Sequence, residues 1–407
     1  MINDLLPIAN SDISYYTKET LTRGDFIVSR DAYPKAVLKN SRGEELGQIQ
    51  LRLDRELYTL SQEEKYEFHR QMMECIKKMS PATANTFDIV MSHWAKHATS
   101  VTSRVSINVD DILVYRGLLK NRGGNKRRGG YLSEQREAVA RQLQTLAYTY
   151  VEASGTGYDE KKKPKKLKIR CPIIVITGEY KVQDVVTKHT DFIKITYCLG
   201  DYFANVMLGN KDVPRQVAYL PRVLLKLNTH NHGYIRNLGG YLTYLWKNRY
   251  TKGSYCDPIK AKTLVRGMGI DVTNMRPCRV KEKLENALDF LEEHNVIREW
   301  RYPPDFDFEA LPKRGWLQHW LELPIEMEPA EYILEQYAKM NQPKEEIKQT
   351  SDDLVYQLSS RRKKEGLSMN QLAELLGISA STIARLESGK TKPRGKTKTK
   401  IEQWLNK

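Results

Sequence analysis

The spacing of apolar and polar residues divides the chain into recognisable blocks. KAVLKN and LGQIQLRL alternate with period two around the turn Ser41-Arg42-Gly43 and predict two short strands. From Ser61 the period lengthens through SQEEKYEFHRQMMECIKKM, and Ser61 with Glu64 three residues on forms a capping-box signature. Ser80-Pro81 opens a second helix, PATANTFDIVMSHWAKHAT, with proline in the tolerated first turn. RVSINV reads as a strand, DILVYRGLL as a short helix and KNRGGNKRRGG as a loop. SEQREAVARQLQTL follows as a longer helix, and YTYVEA and LKIRCPIIVITG as the arms of a hairpin with a polar tip, GTGYDEKKKPKK. Helix, strand, short helix, longer helix and hairpin is the element order of a winged helix, in which the longer helix enters the major groove and the hairpin touches the backbone beside it.

A comparable order recurs downstream. GYIRNLGGYLTYLWKNRY, IKAKTLVRGMGI and CRVKEKLENALDFLEEHNV predict three helices, and VIREWRY and WLQHWLELPI the strands of a second wing. DFIKITY and ANVMLG, lying between the two blocks, predict strands joining them. The stretch NQPKEEIKQT with Ser351 is polar and reads as a linker. The expected fold class is mainly α with β wings (α+β). The expected parts are an N-terminal extension (1–60), winged-helix-like domains at 61–215 and 216–340, a linker (341–351) and a small all-α domain (352–407).

In that last segment DDLVYQLSSRRKKEG is helical and stops at Gly366. LSMNQLAELLG is a helix capped by Ser368 and ended by Gly377; ISASTIARLESGK is capped by Ser379; and TKTKIEQWLN closes the unit. Leu367, Leu372, Leu375, Ile378, Ile383 and Leu386 are spaced to pack two short helices across a tight turn, with the small Ala373 where they cross. A basic first helix, a Leu-Ala pair, a Gly-Ile-Ser turn, a Ser-Thr-Ile run and the tail Glu-Ser-Gly-Lys-Thr-Lys-Pro-Arg together resemble the Cro/C1-type helix-turn-helix family of phage repressors. The resemblance covers essentially all of 352–407. It implies that Ala380, Ser381 and Arg385 face base edges, Arg385 as a two-point donor to guanine. It also implies that Ser379, Lys390, Lys392 and Arg394 hold phosphates. Met369 stands where the family often has a glutamine that braces the backbone, so that contact is missing here.

Charge narrows the class of partner. The chain has 66 Lys and Arg against 50 Asp and Glu, a net charge of +16, which suits a polyanion. Residues 351–407 hold 12 basic and 6 acidic side chains, and residues 116–170 hold 15 and 5. In the first winged-helix-like block Arg127, Arg128, Arg136, Arg141 and the tip lysines Lys161, Lys162, Lys163, Lys165 and Lys166 fall where backbone contacts are expected. In the second block Arg276, Arg279, Lys281 and Lys283 crowd the start of the third helix, interleaved with Glu282 and Glu285. A basic chain with two such blocks in tandem resembles plasmid replication initiators. That resemblance implies a protein that binds repeats at an origin on double-stranded DNA, recruits host replication proteins and could act as a homodimer. A transcriptional repressor acting at an operator is the alternative.

Catalytic patterns are sparse. Five cysteines (Cys75, Cys171, Cys198, Cys256 and Cys278) lie far apart with no CxxC pair, which predicts reduced thiols. His230-Asn231-His232 is the basis for a third reading, a rolling-circle nickase. Such pairs, however, normally enclose a bulky apolar residue, and Asn231 stands there instead. His93 and His97 share a helix face with Trp94 between them, so the zinc-protease His-Glu-x-x-His pattern is absent. With no phosphate-binding P-loop either, the expectation is a non-enzymatic DNA-binding protein without metal or cofactor. The stretch MINDLLPIANSDISYY has no charged leader followed by an apolar core, and no window approaches a membrane span. A prokaryotic cytoplasmic protein, associated with nucleoid or plasmid, is expected.

Overall fold

A computed structural model describes residues 5–29, 32–52, 61–121, 130–158, 163–183, 190–210, 212–250, 252–341, 358–359, 361–362, 365, 367–387, 391, 393 and 395–405. Contacts divide the chain into two compact units, Met1–Tyr337 and Ala338–Lys407. Both predicted winged-helix-like blocks therefore share one body.

The first unit opens with β1 (Leu5–Ala9), α1 (Asp12–Arg23), β2 (Ile27–Ser29), β3 (Ala32–Lys39) and β4 (Glu45–Leu51). It continues through α2 (Gln62–Lys77), α3 (Pro81–His97), β5 (Val105–Asn108), α4 (Val109–Tyr115) and α5 (Ser133–Tyr148). Four strands follow, β6 (Thr149–Tyr158), β7 (Pro164–Pro172), β8 (Ile174–Gln183) and β9 (Thr190–Leu199), then α6 (Asp201–Leu208), β10 (Val217–Pro221) and α7 (Gly233–Tyr250). β11 (Ile259–Lys260), α8 (Ala261–Gly267), α9 (Pro277–Glu293), β12 (Ile297–Arg301), α10 (Trp316–Leu321), β13 (Pro324–Pro329) and α11 (Glu331–Asn341) complete it. The capping box at α2 forms as the sequence predicts: Glu64 N–H donates to Ser61 Oγ at 3.2 Å and Ser61 N–H to Glu64 Oε2 at 2.8 Å. α3 is the central helix, with Phe87, Ile89, Val90, Met91 and Trp94 all fully buried.

Two three-stranded sheets carry the winged-helix order twice. The first runs β5-β9-β8 and the second β11-β13-β12. In each, the strand that precedes the short helix pairs with the last strand of the hairpin, which pairs with the middle one. The helical sets are α3, α4 and α5 in the first block, and α7, α8 and α9 in the second.

Several expectations are corrected. The hairpin β6–β7 is not the first wing. It joins a five-stranded antiparallel sheet of order β2-β3-β4-β6-β7, in which Val151 sits opposite Ile49 on one side and Cys171 on the other. β8 and β9 make the wing. LKIRCPIIVITG is thus two strands that belong to different sheets. The break falls at Pro172, which has no N–H to extend the ladder, and at the buried Ile173, which donates back to Thr149 O at 3.0 Å. Gly200 allows this crossover, because a Cβ there would stand 1.9 Å from Pro172 O.

Residues 1–60 are not a separate extension, since β3 and β4 build that sheet and β1 pairs with β10, Leu6 opposite Leu220. ANVMLG is helical, within α6, with Phe203, Val206 and Met207 buried on the core. WLQHWLELPI is mostly α10, and the strand starts only at Pro324. Trp320 explains the helix: it is fully buried, with its indole N–H on Tyr302 Oη at 3.0 Å. Among the described residues no helix is long and apolar enough to cross a membrane.

Candidate nucleic-acid interface

Among the described residues of the second unit, helical residues at 358–359 and 361–362 precede α12 (Met369–Leu376), α13 (Ala380–Glu387) and α14 (Gly395–Leu405). Leu358, Leu372, Ala373, Leu376, Ile383, Leu386 and Ile401 form its core. Ala373 is 5% exposed, a site with room for little more than a methyl. Leu375 departs from expectation: it is 62% exposed and takes no part in the core.

The turn between α12 and α13 is built from short-range chemistry. Ser368 Oγ accepts from Gln371 N–H at 3.2 Å while Gln371 Oε1 accepts from Ser368 N–H at 2.8 Å, which satisfies two otherwise unpaired donors. Gly377 ends α12 at φ +58°, a left-handed conformation glycine adopts without strain. Lys400 Nζ donates to Gly377 O at 2.9 Å, placing a cation at the carboxyl end of α12. Ser379 caps α13, its Oγ accepting from Thr382 N–H at 3.2 Å.

This frame presents Ser381 and Arg385 on the exposed face of α13. Arg385 has the reach and the planar fork for a guanine edge. Ala380 is half-buried and packs against the core, so its methyl is largely spent there rather than held out to a thymine. Ser379 is exposed, but its hydroxyl is engaged by the cap and by Ser381 and Thr382. Met369 is 38% exposed at the start of α12. Lys390, Lys392 and Arg394 lie outside the described residues.

In the first winged-helix block the basic residues separate into structural and surface groups. Arg116 is half-buried with no carboxylate partner among the described residues; desolvation pushes its guanidinium down to about 10, and it donates to Ala82 O at 2.8 Å and to Thr86 and Gln142. It ties α3 to α5. Arg136 is also committed, its Nε and Nη2 reaching the two oxygens of Asp110 at 2.7 and 3.0 Å, which locks α5 onto α4. Arg141 stays exposed, 3.5 Å from Glu137. Lys163 and Lys166 are exposed, and Lys165 makes an exposed pair with Asp212 at 2.8 Å. Arg127, Arg128, Lys161 and Lys162 lie outside the described residues. The true wing has its own basic residues, Lys181 and Lys194, which the sequence reading missed; their signal was the alternation through IVITGEYKVQ and TDFIKITYCL.

In the second block Arg276 and Arg279 are exposed at the first turn of α9. Lys281 and Lys283 are half-buried instead. Lys281 pairs with Glu285 at 2.7 Å and lies over the Phe308 ring, and Lys283 lies over Tyr234. Exposed charge among these four residues thus narrows to the two arginines.

The histidines fall in two settings. His230, Asn231 and His232 form an exposed turn before α7, with His232 N–H on Asn228 O at 2.8 Å. His93 packs between α3 and β9, its Nδ1 3.1 Å from Tyr197 Oη; burial first, then the neighbouring His97, pushes its pKa down to about 4. Among the described residues no group of three or more His, Cys, Asp or Glu is placed to hold a metal ion.

Residues 358–406 match the family model for helix-turn-helix. No functionally curated protein matches the chain in sequence. Among solved structures, a crystal structure of domain 2 and domain 3 of RctB aligns with 69% of this chain and 87% of that one, at 13% identity and TM-score 0.35. The C-terminal unit is a helix-turn-helix, a DNA-binding fold, and Ser381 and Arg385 are exposed on its helix α13.

Proposed function

We propose that this protein is a replication initiator of the plasmid type, which binds repeats at an origin and recruits host replication proteins without a catalytic step of its own. The observation that carries this reading is the repetition of one strand order, β5-β9-β8 and β11-β13-β12, within a single compact unit. Each repeat sets a long helix with exposed arginine charge, Arg141 on α5 and Arg276 and Arg279 at the start of α9. Two such elements in one compact unit suit a long contact on duplex DNA. A helix-turn-helix held in a separate unit adds a further reading element.

The energetic logic is mechanical. Phosphate contacts from Arg141, Lys163, Lys166, Arg276 and Arg279 supply affinity that does not depend on sequence, and Arg385 supplies base choice. Several copies on adjacent repeats would bend the duplex, and bending favours opening of a neighbouring AT-rich stretch.

A selectable circle without an origin, carrying the gene and its flanking DNA, tests this. Stable transformants that disappear on a frameshift in the gene are expected. The repressor reading is favoured by the separateness of the helix-turn-helix unit. No transformants, with binding retained at the gene's own promoter, would establish it instead.

A further inference from the structure

The first unit buries more positive than negative charge at the junction of its two halves. Asp88 on α3 is fully buried and is shared by two cations. Lys18 Nζ on α1 stands 3.1 and 3.2 Å from its oxygens, and Arg236 on α7 donates to it through Nη2. Lys18 and Arg236 are 5% and 2% exposed. One carboxylate therefore answers two buried cations, and an unneutralised buried charge is costly. Arg236 also places Nε on Asn85 Oδ1 at 2.5 Å, while Asn85 Nδ2 is buried with no acceptor among the described residues.

Beside this cluster is a cavity of about 280 Å³ lined by Lys18, Arg23 and Arg236 together with Thr22, Asn237 and Gly240. Glu19 is its acidic wall residue, and that carboxylate is already paired with Arg23 at 2.5 Å. Counting Asp88 behind the wall, three cations meet two carboxylates. Gly240 keeps the space in front of Arg236 open, since a Cβ there would lie 3.0 Å from Arg236 Nη1. Nε and Nη2 carry the hydrogen bonds that Arg236 makes among the described residues, to Asn85 and Asp88.

We infer that this cavity binds a phosphate-type oxyanion, held by Arg236 Nη1 and Lys18 and supported by the Nδ2 hydrogen of Asn237 that is not given to Met268 O, while the Thr22 hydroxyl stays on Lys18 O at 3.0 Å as part of the wall. The bound anion balances the surplus charge. It also bridges α1 to α7, whose Lys18 and Arg236 both reach Asp88 of α3, and so stiffens that junction. The volume accepts a phosphate group whole, and the same chemistry is offered by free orthophosphate or by the terminal phosphate of a nucleotide.

The test is thermal unfolding of the full chain, titrated with orthophosphate or with ATP against chloride at equal ionic strength, since a ligand of the folded state raises the midpoint with its concentration. Orthophosphate and ATP should both raise the midpoint if a free anion fits; ATP alone should raise it if the phosphate must arrive on a nucleotide. Gly240→Ala, which fills the space before Arg236, and Thr22→Glu, which sets a carboxylate on the cavity wall, should each abolish the shift. Broadening of the orthophosphate 31P resonance by the protein gives a second readout, and should be lost in the same variants. No shift with either ligand overturns the site. A shift that survives in both variants also overturns it, by placing the anion on the DNA-facing surfaces.

Discussion

Arg362 and Glu387 meet as a two-point ion pair, Nε and Nη2 each donating to one carboxylate oxygen at 2.7 Å, with the side chains only 11% and 9% exposed. Twenty-five residues separate them in the chain, and the pair fastens the last residue of α13 to the helical segment that precedes α12. Arg385, two positions before Glu387, lies about 200° around the helix from it by α-helical geometry, so the latch holds α13 from behind its exposed face.

Glu387→Gln keeps the volume of the latch and removes its charge. Loss of a partner from a mostly buried, charge-assisted bond costs about 1–3 kcal/mol. The helix-turn-helix unit should unfold at lower denaturant while the first unit keeps its own transition, as read by chemical denaturation with separate probes for each unit. An unchanged transition for the C-terminal unit would show that the latch contributes nothing.

Arg385→Ala should act on base choice. Removing a two-point guanine contact costs about 1–3 kcal/mol and relaxes preference at one base pair, leaving other positions as they were. Selection of bound sequences from a random pool, before and after the change, reads this directly. A uniform loss across all positions would make Arg385 a phosphate contact instead.

The helix-turn-helix was legible in the sequence because short-range rules build it. Ser368, Gly377 and Ser379 mark the helix ends through bonds spanning no more than a few residues, and Leu372, Leu376, Ile383 and Leu386 repeat with helical spacing. Leu375 was misjudged because an apolar residue next to a core position looks the same in sequence whether it turns inward or out. The first wing was misplaced for a different reason. β6–β7 and β8–β9 are both antiparallel hairpins with basic residues, and only long-range pairing decides which one meets β5. Val105 opposite Tyr197 and Gly47 opposite Ala153 are partners about a hundred positions apart, and no local pattern encodes them. The same holds for charge. Arg136 and Arg141 look alike in sequence, yet only Arg136 has Asp110 beside it.

That difference separates two variants. Replacing Lys163 and Lys166 together with glutamine should weaken binding to every DNA sequence and lower the slope of log affinity against log salt by about 0.9 for each phosphate that is no longer neutralised. Arg136→Ala should instead lower folding stability and leave the salt slope intact, since its guanidinium is held by Asp110. Fluorescence anisotropy at several salt concentrations, paired with denaturation, distinguishes them. If Arg136→Ala changed the slope and spared stability, its placement as a strut between α4 and α5 would be wrong.

Asp88→Asn tests the buried charge cluster without changing its shape. Lys18 and Arg236 would then share no carboxylate, and removing one partner of a buried ion pair costs about 3–5 kcal/mol. The first unit should lose that much in urea unfolding. A loss below about 1 kcal/mol, in the range of a surface pair, would mean that water reaches the cluster.

His93 sets a pH dependence whose direction follows from its environment. In the folded chain its pKa is pushed down to about 4, mostly by burial and then by His97, with Lys96 adding to the shift and Asp111 opposing it. Unfolding returns it to about 6.5, the ordinary value for imidazole. Above that value both states leave the ring neutral and His93 contributes no pH dependence. As pH falls from about 6.5 towards 4 the unfolded chain takes up a proton that the folded chain refuses, so folding stability declines across that window. His93→Gln retains a hydrogen-bonding side chain near Tyr197 and removes the titration. Its unfolding midpoint should therefore fall less between pH 7 and pH 5 than that of the unaltered protein, by thermal or urea denaturation at the two values. Equal declines in the two proteins would assign the acid sensitivity to other groups and leave His93 a packing residue of α3 against β9.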